Sequence, residues 1–271
     1  MGREEGVPVA MAAAGLVMLI NLGLSLAVGV RLRSAGTRGR APERALALHF
    51  LCTAFLGTLC LVPVYAQLAD AAVKLPDLLA RVLLGGGTLA MLVGQAGVYL
   101  FTWRTFRPES ARAKAAVVLG CAVGAVGFLI EAGDGGFALR IVPGLGHWLS
   151  WLGRTAPMVW VAVECLRYRS LLLRRVRIGL ADPVVANRVG LWGVWAAAGF
   201  LNVAADLVSR LVYRALAGTT EAVPELLRPV FFVTTNTTMV LGAVSAVTLF
   251  LTFFPPRAYL RWVRSRAAAQ A

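Results

Sequence analysis

Hydrophobic residues in this chain are gathered into seven long runs, separated by shorter polar segments. About 20 consecutive apolar residues are enough to cross the hydrocarbon core of a bilayer as an α-helix. The pattern therefore predicts an all-α membrane protein built as a seven-transmembrane-helix bundle. The predicted spans are residues 7–30, 45–67, 79–103, 115–130, 148–168, 189–211 and 229–254.

The fourth run is the shortest, and three glycines lower its helix propensity. These are Gly120, Gly124 and Gly127. The spacing of Gly120 and Gly124 allows another helix to approach closely, either inside the bundle or across a homodimer interface. We retain this span because the alternation of charged segments along the chain requires it.

Basic residues are concentrated in every second connection, and the chain has 27 Lys+Arg against 13 Asp+Glu. Basic loops stay in the cytoplasm, so the N-terminus is predicted outside and the C-terminus in the cytoplasm. The excess of Arg over Lys and the many Ala, Gly and Val residues indicate a GC-rich bacterial genome, and hence the inner membrane. The predicted cytoplasmic positions are Arg31, Arg33, Arg38, Arg40, Arg44, Arg104, Arg107, Arg112, Lys114, Arg167, Arg169, Arg174, Arg175, Arg177, Arg188, Arg257, Arg261, Arg264 and Arg266.

The basic segments also suggest partners. In a soluble chain a net charge of +14 would favour nucleic acid, but here the charge lies in short loops between membrane spans, where it favours anionic lipids. The tail, residues 255–271, can place Tyr259 and Val263 on one helical face and arginines on another. It predicts a short amphipathic helix on the inner leaflet. A solvated basic tail is the alternative.

Ionisable side chains inside a bilayer are costly, which makes each of them a functional candidate. Arg154 and Asp206 are predicted at similar depths in the fifth and sixth spans. Asn202 lies one turn from Asp206, Asn236 enters from the seventh span, and Glu131 ends the fourth. These residues predict an outward-facing polar cluster that binds a ligand or an ion. A structural ion pair between helices, or an Asp206–Arg210 pair, is the alternative.

A second pair of candidates lies near the inner side. His49 and Glu164 are predicted at comparable depths, and a contact between them would respond to protons. Neutralisation of Glu164 by Arg167 or Arg169 at the interface is the simpler interpretation.

The sequence lacks residues that retinal, zinc and haem sites require. Covalent retinal needs a lysine in the last span, yet Lys74 and Lys114 lie outside the predicted spans. The chain has two histidines, His49 and His147, which are predicted at opposite membrane faces, so a three-histidine zinc site and a bis-histidine haem are disfavoured. One membrane domain accounts for the whole length, and only 15% of the residues are charged, so an enzyme is not expected.

The topology resembles the seven-helix sensor modules at the N-terminus of some bacterial histidine kinases, and also rhodopsin-like bundles. The segment from Arg175 to Arg188, with the basic exit Thr102-Trp103-Arg104, is similar to that of other bacterial seven-transmembrane proteins. No kinase follows within these 271 residues. If the protein signals, its output is expected to pass to a separate cytoplasmic partner.

Three functions are consistent with this sequence. A sensor or receptor would bind a ligand at the outer cluster and shift its helices. A small transporter or channel component would need a continuous polar path, for which Asn21, Gln95 and a stripe on the seventh span are the hints. The third is a structural subunit of a membrane complex. The stripe comprises Thr234, Thr238, Ser245, Thr248 and Thr252.

Overall fold

The computed structural model describes residues 6–36, 41–69, 74–138, 144–216 and 223–268. Within these ranges all regular structure is helical. In chain order the elements are α1 (Gly6–Gly36), α2 (Ala41–Leu48), a π-helix (His49–Gly57), α3 (Thr58–Ala69), α4 (Asp77–Phe106), α5 (Ala111–Gly133), α6 (Leu145–Arg177), α7 (Pro183–Leu216), α8 (Val223–Phe253) and α9 (Arg257–Ala268).

Six helical segments of the described chain are long and apolar enough to cross a membrane. The fourth predicted span is among them, as α5, in spite of its glycines. The fifth, α6, is not: it is long enough, but its sequence carries Arg154 and Glu164 within the apolar part. The six segments are Ala13–Ser34, Ala41–Val64, Asp77–Phe106, Ala111–Gly133, Pro183–Val212 and Phe232–Phe253.

The helix ends have local chemical causes. α4 stops at Phe106, ahead of Pro108, and the Ser110 side chain then accepts a hydrogen bond from the Ala113 amide at 3.2 Å to cap α5. α7 begins with Pro183, whose missing N–H is not needed in a first turn. The Asp182 carboxylate before it accepts a hydrogen bond from the Val184 amide at 2.8 Å.

The chain divides into two compact units, and the divisions fall inside α1, α6, α7 and α8. The first unit comprises Met1–Leu24, Met158–Leu207 and Arg228–Ala271. In it the Asn21 amide of α1 donates to the Gly242 carbonyl of α8 at 3.0 Å. The Asn187 amide of α7 donates to the Tyr259 hydroxyl of α9 at 2.7 Å. These side-chain bonds tie together elements that are distant in sequence.

The second unit comprises Ser25–Pro157 and Val208–Leu227. Here the helix formed by α2, the π-helix and α3 packs on α4. Glycines on α4 make the approach close: a Cβ on Gly94 would collide with Thr53, and one on Gly97 with the Ala45 carbonyl. At that contact the Thr53 hydroxyl donates to the Met91 carbonyl at 3.1 Å.

Large apolar side chains remain exposed along the candidate spans, for example Leu16, Leu119 and Leu129 at 60%, 65% and 67%. Extensive exposed apolar surface is unusual for a soluble protein, whereas lipid tails cover it in a bilayer. The molecule is therefore a multi-pass helical protein of integral membrane character.

Candidate functional site

Small residues set the distance between α5 and α6. A Cβ on Gly127 would meet the backbone of Gly146 and Ser150, and a Cβ on Gly153 would lie 2.6 Å from the Gly124 Cα. Backbone therefore packs directly on backbone along this helical hairpin. The glycines that weaken α5 as an isolated helix are the residues that dock it against α6. This agrees with the expectation of close packing, here inside one chain.

The turn that follows α5 is held against α4 by a hydrogen bond and by an aromatic contact. Gly135 and Gly136 have positive φ angles of 96° and 61°, and Phe137 has a φ of 60°, which is strained for an aromatic residue. The Arg81 guanidinium of α4 donates to the Gly135 carbonyl at 2.9 Å and also binds Asp77 at 2.8 Å. The Phe137 ring packs on Gly85 of α4. This turn therefore holds the end of α5 in one position.

At this end of the hairpin a carboxylate meets an imidazole. The Glu131 Oε1 of α5 lies 3.6 Å from the His147 Nδ1 of α6, and both side chains are 20% exposed. The other two polar atoms of the pair, Glu131 Oε2 and His147 Nε2, are buried and have no hydrogen-bond partner among the described residues. The His147 ring stands edge-on to Trp148, with 5.7 Å between centroids.

The alignment of α5 with α6 in the hairpin brings the side chains of Glu131 and His147 together. A Cβ on Gly146 would lie 2.6 Å from the Glu131 amide nitrogen, so the two backbones are in contact at this level. His147, the next residue, is thereby turned toward the Glu131 carboxylate. Burying polar atoms without partners costs free energy, which makes this pair a candidate for binding a ligand.

Arg154 lies two turns along α6 from His147, on the same helical face. Its Nε donates to the Ser150 carbonyl at 3.2 Å, and its Nη1 lies 3.5 Å from the Met91 Sδ of α4. Met91 also accepts the Thr53 hydroxyl through its carbonyl. One line of polar contacts thus runs from the π-helix through α4 to α6, two turns along α6 from the Glu131–His147 pair.

No protein-family model matches this chain, and no curated protein or solved structure is significantly similar to it. The function must be argued from its own side chains.

The predicted outer cluster is divided between the two units. Arg154 and Glu131 belong to the second unit, while Asn202, Asp206 and Asn236 belong to the first. The three residues of the first unit are half-buried, and the Asn236 amide donates to the Phe232 carbonyl of its own helix at 2.8 Å. The assembly of the whole cluster stays a prediction.

The predicted inner pair is divided in the same way. His49, in the second unit, is the first residue of the π-helix and is buried, with 3% exposure. Glu164, in the first unit, is also buried and accepts the Trp160 indole N–H at 3.4 Å. Their contact stays a prediction. The pair that does form, Glu131 with His147, was not predicted from the sequence, where His147 enters only as a metal or haem ligand.

Three of the five hydroxyls in the polar stripe of the last span are bonded to the backbone of their own helix. Thr234, Thr248 and Thr252 each donate their hydroxyl to a carbonyl one turn earlier in α8. Asn21 of α1, which the sequence suggests for a polar path, donates its side-chain amide to the Gly242 carbonyl. Asn21 thus joins two helices, and the three threonine hydroxyls are bonded within their own helix, so these groups give little support to a solute path.

A metal centre finds no support in the described residues, where no group of three or more His, Cys, Asp or Glu side chains could hold an ion. The four cysteines are free thiols, and only Cys165 is fully buried. The Glu131–His147 pair is thus the best-defined polar site, and it suits a proton or a small polar ligand.

Proposed function

We propose that this chain is a sensor or receptor of the membrane, with its ligand site at the Glu131–His147 pair. The observation that carries the proposal is the pair itself: two titratable side chains 3.6 Å apart, each with a further buried polar atom that no described residue satisfies. A carboxylate accepts hydrogen bonds, whereas an imidazole both donates and accepts them and becomes a cation when it is protonated. The binding of a proton or a ligand would therefore change the contact between Glu131 and His147.

The proposed topology has seven spans, with α6 added to the six apolar segments. α6 has 33 residues, which is about 50 Å of helix and more than the roughly 30 Å of hydrocarbon. Its close contact with α5 provides a partner for a helix that carries charged groups. The charge pattern places the N-terminus and the Glu131–His147 pair outside, and the C-terminus in the cytoplasm of a bacterial cell. The amphipathic α9 then lies on the inner leaflet.

Transmission follows from the packing of α5 on α6. Because Gly124 and Gly127 meet the α6 backbone directly, a change at His147 cannot be absorbed by side chains between the two helices. It must move the part of α6 that packs on α5. The last turn of α6 carries Arg174, Arg175 and Arg177, and this basic end is the surface that we propose for passing the signal to a separate cytoplasmic partner.

The simplest ligand for the pair is a proton. A protonated imidazole attracts the Glu131 carboxylate by its charge, whereas a neutral one can offer only a hydrogen bond. The other charged groups near this end of the described hairpin are Arg81 and Asp77, which are bonded to each other, Asp134 at the end of α5, and Arg154 two turns away. Among these side chains His147 supplies the imidazole, which can exist in a neutral and in a cationic form.

The test is a distance measurement in the whole protein. Its four cysteines are replaced by alanine, Arg177 and Glu109 are changed to cysteine, and spin labels are attached in lipid nanodiscs. We expect the distance distribution to shift as the pH is lowered from about 8 to about 5. His147→Gln and Glu131→Gln should abolish this shift.

The control uses the other histidine of the chain. His49→Gln should leave the pH response intact, because His49 belongs to a different part of the second unit. Loss of the response in His49→Gln alone would transfer the function to the predicted His49–Glu164 pair and overturn this proposal. So would an unchanged response in a folded His147→Gln variant.

A further inference from the structure

An apolar cavity of about 320 Å³ lies along the contact between α4 and α5, within the second unit and within two of the candidate spans. It is separate from the polar site, and apolar side chains form most of its wall. Its lining includes Leu92, Ala96, Tyr99, Gly120, Ala125 and Phe128.

Aromatic rings lie at the two ends of this cavity. At one end the Tyr99 ring lies directly against Gly120, where a Cβ would collide with it. At the other end Phe128 packs on Phe137, with 4.9 Å between ring centroids. The long side remains open, bordered by Leu89, which is 49% exposed. The shape is that of a groove open sideways to the surface that the bilayer covers.

The turn joining α4 to α5 brings positive charge to the Tyr99 end of the groove. Its basic side chains are all exposed, and Glu109 is the one carboxylate of residues 104–114. Lys114 precedes Gly120 by six residues on α5, about 9 Å along the helix. The basic residues of this turn are Arg104, Arg107, Arg112 and Lys114.

We propose that the groove and the basic turn together bind one anionic phospholipid. The phosphate lies against the basic side chains of the turn, and one acyl chain runs past Tyr99 into the groove. The charge of the turn selects an anionic headgroup over a zwitterionic one, since each Lys or Arg near the surface favours anionic lipid roughly fivefold. The apolar wall, set at the depth of the hydrocarbon, selects the chain.

The experiment uses two photoreactive lipids with the same diazirine-bearing acyl chain. One is a phosphatidylglycerol and the other a phosphatidylcholine, each added at trace level to nanodiscs of unlabelled phosphatidylcholine that hold the full-length protein. After irradiation, mass spectrometry measures labelling of residues 89–99 and 120–129. We expect phosphatidylglycerol to label these residues at least about fivefold more than phosphatidylcholine.

Two kinds of variant separate the groove from the turn. Ala125→Phe fills the groove and should remove most of the labelling, whereas Ala122→Phe, an equal change at an exposed position of α5 outside the cavity lining, should not. The surface double variant Arg107→Gln with Lys114→Gln should keep the labelling by phosphatidylcholine and lose the preference for phosphatidylglycerol.

Three results would overturn the proposal. Equal labelling by both lipids would mean that the turn does not recognise the headgroup. Equal labelling of the Ala125→Phe and Ala122→Phe variants would mean that only the general lipid shell is in contact with the helices. A preference for phosphatidylglycerol that survives in the double variant would place the recognition elsewhere.

Discussion

The packing of α5 on α6 predicts a large penalty for one added methyl group, in Gly127→Ala. The new Cβ would lie 2.7 Å from the Gly146 carbonyl oxygen and 2.8 Å from the Leu149 carbonyl carbon, where ordinary contacts begin at 3.4 Å. These are backbone atoms, so no rotamer change relieves the clash. α6 would have to withdraw by roughly 1 Å, which forfeits up to about half of each dispersion contact across the hairpin.

The magnitude follows from two opposing terms. Overpacking costs about 1–3 kcal/mol, and a clash with backbone belongs at the upper end, about 3 kcal/mol. Replacing a helical glycine by alanine returns about 1 kcal/mol of helix propensity. We therefore expect Gly127→Ala to lower the free energy of unfolding by about 2 kcal/mol.

The assay is unfolding by SDS in mixed micelles, followed by circular dichroism and tryptophan fluorescence. The matched control is Gly86→Ala, in the interior of α4, where an added Cβ would meet nothing within 4 Å. This control should be neutral or slightly more stable than the wild type. If Gly127→Ala and Gly86→Ala unfold at the same SDS fraction, the direct backbone contact between α5 and α6 does not exist in solution.

Two hydrogen bonds of the first unit give further predictions. Asn21→Leu removes the bond from α1 to the Gly242 carbonyl and should cost about 0.6–1.7 kcal/mol in the same SDS assay. Asn236→Leu, which removes only a bond within one helix, should cost less, and the reverse order would contradict the role of Asn21. Tyr259→Phe removes the acceptor of the Asn187 amide and should speed hydrogen–deuterium exchange in α9. Unchanged exchange there would show that this bond does not hold α9.

Much of the fold could be predicted because lipid imposes a simple rule on the sequence. A backbone in hydrocarbon must satisfy its own hydrogen bonds, so each long apolar run becomes a helix. The rule located α5 correctly even with its glycines, since hydropathy and not propensity decides insertion. It did not reveal the π-helix at His49–Gly57, because no periodicity of side chains distinguishes that winding from an α-helix.

The candidate site was predicted only in part. Glu131 was identified as a polar residue at the end of a span, but its contact with His147 depends on the register of the hairpin, which hydropathy does not encode. The contacting pairs have nearly the same midpoint in the sequence, at about position 139: Gly124 meets Gly153, and Glu131 meets His147. Counting outward from the turn would have paired them. The contacts predicted for Asp206 depend on how helices that are far apart in sequence are arranged, and hydropathy does not encode that arrangement.

The glycine-lined contact between α5 and α6 also bears on how the protein enters the membrane. In the proposed topology α6 also crosses the membrane. An arginine at the centre of a span raises the free energy of insertion by about 2.5–3.5 kcal/mol, and one nearer the end raises it less, so Arg154 makes α6 a weaker candidate than α5 for entering lipid alone. α5 precedes it in synthesis and presents Gly124 and Gly127 to its backbone. We expect the two helices to leave the translocon as a pair, which would make biogenesis, and not only the folded state, sensitive to any side chain added at those glycines.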